Sequence, residues 1–304
     1  MLLFAPLPCR AYETDQFSNR QQHIADSTEL LNEQVNLTIR RTVEEWRGPR
    51  KNKKFVNKIY HAIGGLHWVD KLEKWAMESQ DVERLNTPRR DSIYAGHPFW
   101  AIRVAVLFGV GPTIKINHVL VGSDKIGHFL SQGRKYYRRY LRYGDEARAG
   151  EWSAFTERAI FGQMTTGSYS NADLVANFEG YVFYRSLFED NIIPGKAAIL
   201  HWEDDGWVIQ RPFDWADHVN EYWDEALNIN HYDGLLYPHM KQRLLGFCEE
   251  YEQLPAIYDI ENESPLSMRY QHLQLRDTSE LRLSNLCAPP VSSTSSIITA
   301  SSRP

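Results

Sequence analysis

GSDKIGHFLSQGRKYYRRYLRYG, residues 122–144, is the stretch whose reading decides the fold. Its small and acidic opening, Gly122-Ser123-Asp124, is a helix start, and Gly144 is a helix stop, so a helix is expected from Asp124 to about Arg142. Residues four apart share a helix face, which puts Asp124, His128 and Gln132 in one row. Arg134, Lys135, Arg138, Arg139 and Arg142 make this helix amphipathic, not a membrane span. A second helix is expected from Ser170 to about Phe188. Asp173 and Asn177 share its face, and Gly180 continues that stripe with no side chain, so another backbone can approach there. Between the two, a helix over about Asp145–Phe161 carries Glu157.

Outward from this centre, Leu30, Leu31, Val35, Ile39 and Val43 recur with helical period over Asp26–Trp46. Shorter helices are expected over Phe55–Ile63 and Leu66–Met77, and an irregular connection over 86–98. Thr113–Val121 alternates, with Ile114, Ile116, His118 and Leu120 on one side, and reads as a strand or extended segment. Gly206–Arg211 reads as a small hairpin, Trp215–Leu227 as a helix and Leu235–Tyr251 as a last long helix before a polar arm. The fold class is therefore mainly α: one bundle-like helical domain over residues 12–287 with a short hairpin or extended segments.

Composition narrows the class without naming an activity. The 304 residues are 42% hydrophobic and 24% charged, which excludes wholesale disorder. A mean hydropathy of −0.49 argues against a multi-span membrane protein. The net charge of −5 offers no global attraction to nucleic acid, and none is expected as a partner. It conceals a segment of balance +6 over residues 40–58 and one of −7 over 201–225. The first can meet anionic headgroups at a membrane surface or be a solvated face. The second holds Trp202, Trp207, Trp215 and Trp223, which suit sugar stacking or, more simply, core packing.

Both ends stand apart. Met1–Ala11 is apolar and then small at Cys9 and Ala11, the pattern of a truncated secretory signal cleaved after Ala11, or of an apolar terminus docked on the domain. Residues 288–304 hold eight Ser/Thr and three Pro, a tail unable to bury a core. Export would leave Cys248 and Cys287 as an even pair, either bridged or as two reduced thiols.

The two polar helix faces can form a pocket. Asp124, His128 and Asp173 are ligand types for a divalent metal such as Zn²⁺ or Mn²⁺, and three protein ligands leave a place for water. Without metal, His128 is a general base oriented by Asp124 or Asp173, with Asn177 and Glu157 beside it. The competing reading is structural: Ser170 and Asp173 as a cap, and His128 satisfied by Asn177 inside a core. His118 is either a further ligand or a satisfied core histidine. No P-loop, dinucleotide fingerprint, His-Glu-x-x-His or nucleophile elbow is present.

Asp124-Lys125 with His128-Phe129, then Glu157, then Asp173-Leu174, Ala176-Asn177 and Gly180 resembles the signature of VanZ-like proteins and of a related family of small bacterial outer-membrane lipoproteins of unknown function. The resemblance spans residues 124–180. It implies an exported, periplasmic or outer-membrane-associated setting. Together with the polar cluster, that setting leads to the expectation of a hydrolase, metal-assisted or not, of an envelope lipid or glycan, or else of a non-catalytic factor that binds one.

Overall fold

A computed structural model describes residues 13–65, 69–97, 109–156 and 167–289. The signal-like start and most of the Ser/Thr/Pro tail, with Glu157, fall outside these. The fold is mainly α, as expected, with small two-stranded sheets.

The first half is built from α1 (Thr28–Glu44), α2 (Asn52–Ile63) and α3 (Lys71–Glu78). The apolar period read from the sequence is the one buried: Leu31, Val35 and Ile39 of α1 pack with Phe55, Val56 and Ile59 of α2. The basic run 40–58 spans the end of α1, the connection and the start of α2, with Arg50, Lys51, Lys53 and Lys54 exposed. Strand β1 (Glu13–Thr14) pairs in parallel with β2 (Val110–Gly111).

Thr113–Val121 folds not as one strand but as a hairpin of β3 (Thr113–Ile116) and β4 (Val119–Gly122). Asn117 and His118 form its turn with φ of 49° and 66°, the left-handed pair that a two-residue hairpin needs. The alternation therefore ends at Ile116. His118 is neither a ligand nor a core histidine: its side chain is 89% exposed at the tip, 3.5 Å from Asp26.

β4 leads directly into the central helix. It runs as α4 (Asp124–Gly127), a π-helical segment His128–Gln132, and α5 (Gly133–Tyr143), and Gly144 ends it in the left-handed conformation. α6 (Glu146–Thr156) folds back on it. β5 (Ser168–Tyr169) precedes α7 (Asn171–Ser186), in which every residue except Arg185 is buried. A helix enclosed on all sides belongs to the middle of a core, and α7 lies against α5 and the π segment. The approach is set by glycine. A Cβ on Gly180 would overlap the Phe129 carbonyl oxygen, and one on Gly133 would lie 2.5 Å from the Gly180 Cα.

The hairpin expected near Gly206 extends upstream, pairing β6 (Leu200–Glu203) with β7 (Gly206–Ile209). Trp215–Leu227 is not a helix. Asp214 and Asn220 each turn a side-chain oxygen onto the backbone two residues on, at Ala216 (3.0 Å) and Tyr222 (3.1 Å), and start two short 3₁₀ turns. Such local bonds compete with a continuous helical ladder. Trp215 and Trp223 are nevertheless fully buried, which is the packing role. β8 (His231–Tyr232) pairs with β5. The long helix expected over Leu235–Tyr251 is broken near Gly246 into α8 (Tyr237–Leu245) and α9 (Cys248–Gln253). The C-terminal arm adds α10 (Ser264–Tyr270) and α11 (Leu283–Leu286), and Cys248 and Cys287 are joined by a disulfide. Among the described residues no helix is long and apolar enough to cross a membrane.

Because α7 meets the π segment at backbone distance, Gly180→Ala is expected to destabilise the fold by roughly 3 kcal/mol or more, through overpacking. Urea unfolding monitored by circular dichroism checks this, and a loss within experimental error would show that the helices can separate freely.

Candidate functional site

The central helix and α7 present their polar rows to each other at one end of the glycine contact. Asp124 opens α4, where a carboxylate complements the helix dipole. Asp173 sits in the first turn of α7, its backbone N–H donating 3.1 Å to Ser170 Oγ, the N-cap. The π segment begins at His128, and such local widening of a helix is frequent at functional sites.

At the centre lies Lys125, 1% exposed. Its ammonium is 2.7 Å from Asp124 Oδ2, 2.7 Å from Asp173 Oδ1 and 2.7 Å from Glu225 Oε1. These three opposite charges hold the amine firmly protonated against a burial that opposes it. Ser170 Oγ donates to Glu225 Oε1 at 2.9 Å, and Thr14 Oγ1 reaches Asp124 Oδ1 at 3.3 Å. His128 is held at both ring nitrogens: Nδ1 is 3.0 Å from Asn177 Oδ1, and Nε2 is 3.2 Å from Asp173 Oδ2. Asn177 Nδ2 in turn donates to Ser153 Oγ at 3.1 Å, which sets the amide's orientation.

Behind this row is a second acidic layer. Asp70 accepts from Ser131 Oγ at 2.8 and 2.7 Å, and Tyr60 OH lies 3.1 Å from the same hydroxyl. Burial pushes the Asp70 carboxyl up to about 6, against the Ser131 hydrogen bond. Glu73, on the first turn of α3, is buried and held well above the usual carboxylate range, first by desolvation and then by Asp124 and Asp70.

The structure thus brings together Asp124, His128, Asp173 and Asn177, four of the residues singled out from the sequence; Glu157 lies outside the described residues. Lys125, Glu225, Asp70, Glu73 and Ser131 were not among them. A lysine four residues before the buried Phe129 is the one local signal that could have pointed inward. Glu225 and Asp70 arrive from distant chain and carry no such mark.

Asp124, His128 and Asp173 can hold a metal ion: each offers one ligand atom, and these lie within 4.8 Å of one another. Charge supports the fit. Three carboxylates face one ammonium, so the cluster around Lys125 keeps net negative charge next to a partly open edge, where the Asp124 and His128 side chains are 15% and 18% exposed. Glu179, in the middle of α7, is the contrasting case. It is fully buried and receives Arg269 Nε at 2.9 Å, Tyr270 OH at 2.8 Å and His218 at 3.2 Å, a closed and charge-matched arrangement with a structural role.

Lys125→Met is expected to cost about 3–5 kcal/mol, since it leaves three carboxylates facing one another in a buried space; denaturant unfolding measures it. For Asp70 the sign follows from a native pKa of about 6 above an ordinary 3.8. The folded state holds the proton longer, so this group's contribution to stability is present at low pH and is lost as pH rises from about 4 to 6. Asp70→Asn should flatten the urea midpoint across that window, and an unchanged slope would refute the assignment.

No family model, no curated protein and no solved structure matches the chain, so function has to be read from the chemistry of these side chains.

Proposed function

We propose that the chain is a hydrolase of the bacterial cell envelope, acting on a lipid or glycan at the edge formed by Asp124, His128 and Asp173. One observation carries the reading: a buried, net negative cluster opens to solvent at an imidazole and two carboxylates whose ligand atoms converge. Asp124, His128 and Asp173 would hold a divalent ion of the Zn²⁺ or Mn²⁺ type, which would make a bound water acidic enough to be a nucleophile near neutral pH. The chain's own groups do the positioning. Lys125 pins Asp124 and Asp173 in one arrangement, and Asn177, steadied by Ser153, turns the His128 ring so that Nε2 faces Asp173. With no ion there, Nε2 is instead the group suited to take and return a proton.

The envelope setting is supported by the resemblance over residues 124–180, by the signal-like start and by the Cys248–Cys287 disulfide, a bond that persists in oxidising compartments. A second reading is favoured by the completeness of the Lys125 contacts: a non-catalytic envelope factor that binds lipid or glycan, through the basic run 40–58 among other surfaces, with a purely structural cluster.

Two measurements separate them. Protein purified without chelator is expected to carry a divalent metal, and removing it should lower thermal stability by an amount that grows with affinity. His128→Ala and Asp173→Asn should retain the fold and lose roughly a hundredfold or more in turnover on phosphoester and carboxyl-ester probes. A metal-free, fully stable protein whose variants merely unfold would leave the structural reading standing.

A further inference from the structure

The surface formed by α5 and α6 takes no part in that cluster. α5 gives Gly133, Tyr136 and Tyr137 to the core and carries five cations on its remaining faces, Arg134, Lys135, Arg138, Arg139 and Arg142. Arg148 of α6 adds a sixth. Among the described residues Arg138, Arg139, Arg142 and Arg148 make no ion pair, whereas the neighbouring Glu146 is engaged by Arg185 and Tyr181. Arg134 donates to Asn57 Oδ1 at 3.0 and 2.8 Å and so joins α5 to α2, close to the exposed Lys53 and Lys54. Two basic runs far apart in sequence thus adjoin.

The same surface exposes apolar bulk: Leu141 is 48% exposed, Trp152 43% and Phe155 46%. The Trp152 and Phe155 rings are 5.6 Å apart, and the Arg139 guanidinium lies 5.4 Å from the Trp152 ring. Arg142 and Arg148 flank Tyr143 at 5.5 and 4.4 Å.

We infer that the α5–α6 surface docks on an anionic lipid bilayer. Guanidinium groups suit phosphate oxygens geometrically, and large aromatic side chains settle at headgroup depth with their apolar parts toward the acyl chains. The occupant is a bilayer in preference to nucleic acid. Leu141 and Phe155 offer a base edge nothing to bond, whereas the acyl region of a bilayer accepts such side chains. Docking here is independent of whether the Lys125 cluster is catalytic.

Cosedimentation of the full chain with vesicles of phosphatidylcholine plus phosphatidylglycerol, against phosphatidylcholine alone, tests this. Binding is expected only with the anionic lipid and should weaken as salt rises. Arg138→Glu with Arg142→Glu should lower partitioning at least about tenfold, and Trp152→Ala with Phe155→Ala several-fold, with circular dichroism unchanged. Should the double reversal disturb folding, Arg142→Gln alone must still weaken binding. The inference is overturned by no binding, by equal binding to both vesicles, or by tighter binding to a single-stranded oligonucleotide. Loss on Lys53→Glu with Lys54→Glu, while the α5 and α6 variants bind normally, overturns it as well.

Discussion

An ammonium group enclosed by three carboxylates is the constraint on which the rest of the molecule depends. Removing four charges from water is expensive, and only close, multiple pairing makes it tolerable. The Lys125 contacts at 2.7 Å tie together the start of α4, the first turn of α7 and the turn after Trp223. Those three pieces come from distant parts of the chain and have no shared hydrogen-bond ladder to align them. What lies below the cluster agrees with it. Phe129, one turn on from Lys125, packs between Phe183, Trp215 and Trp223 at 4.7–5.8 Å, so the apolar and ionic halves of the junction share one helix. The bare Gly133–Gly180 contact sets how near α7 can come, and therefore whether Asp173 reaches the ammonium.

The two buried carboxylate systems on α7 differ in how their charge is balanced. Glu179 meets one guanidinium, one phenol and one imidazole, and its charge is matched within an enclosed space. Two turns earlier, Asp173 shares a single ammonium with two other acids and lies beside a partly exposed histidine. The first arrangement has nothing left to attract. The second retains negative potential toward solvent, and behind it burial holds the Asp70 and Glu73 carboxyls above their usual range.

Where local chemistry governs, the sequence was legible. The helix from Asp124 to Tyr143, its stop at Gly144, the cap at Ser170 and the close approach at Gly180 all rest on residue type and spacing within a few positions. The pairing of His128 with Asn177 followed from two helix faces having to meet somewhere. Failures occurred where side chains intervene in the backbone. Asn117–His118 accepts a left-handed turn that the apolar alternation hides, and Asp214 and Asn220 capture backbone donors a helix would have used. Lys125 was read as part of a motif and not as its centre, because the partners that draw it inward, Asp173 and Glu225, lie far along the chain.

The C-terminal arm clamps α7 from outside: Arg276 exchanges backbone hydrogen bonds with the Asn171 side chain, and Arg269 with Tyr270 holds Glu179. All of these arm residues lie inside the loop that the Cys248–Cys287 bond closes, 39 positions apart. Joining the ends of such a loop removes about 4 kcal/mol of chain entropy from the detached state, on the chain-entropy view. The clamp is therefore a ring whose persistence on α7 depends on the thiol chemistry of its surroundings. The helix wall bearing Asp173 and Asn177 is as firm as the compartment is oxidising.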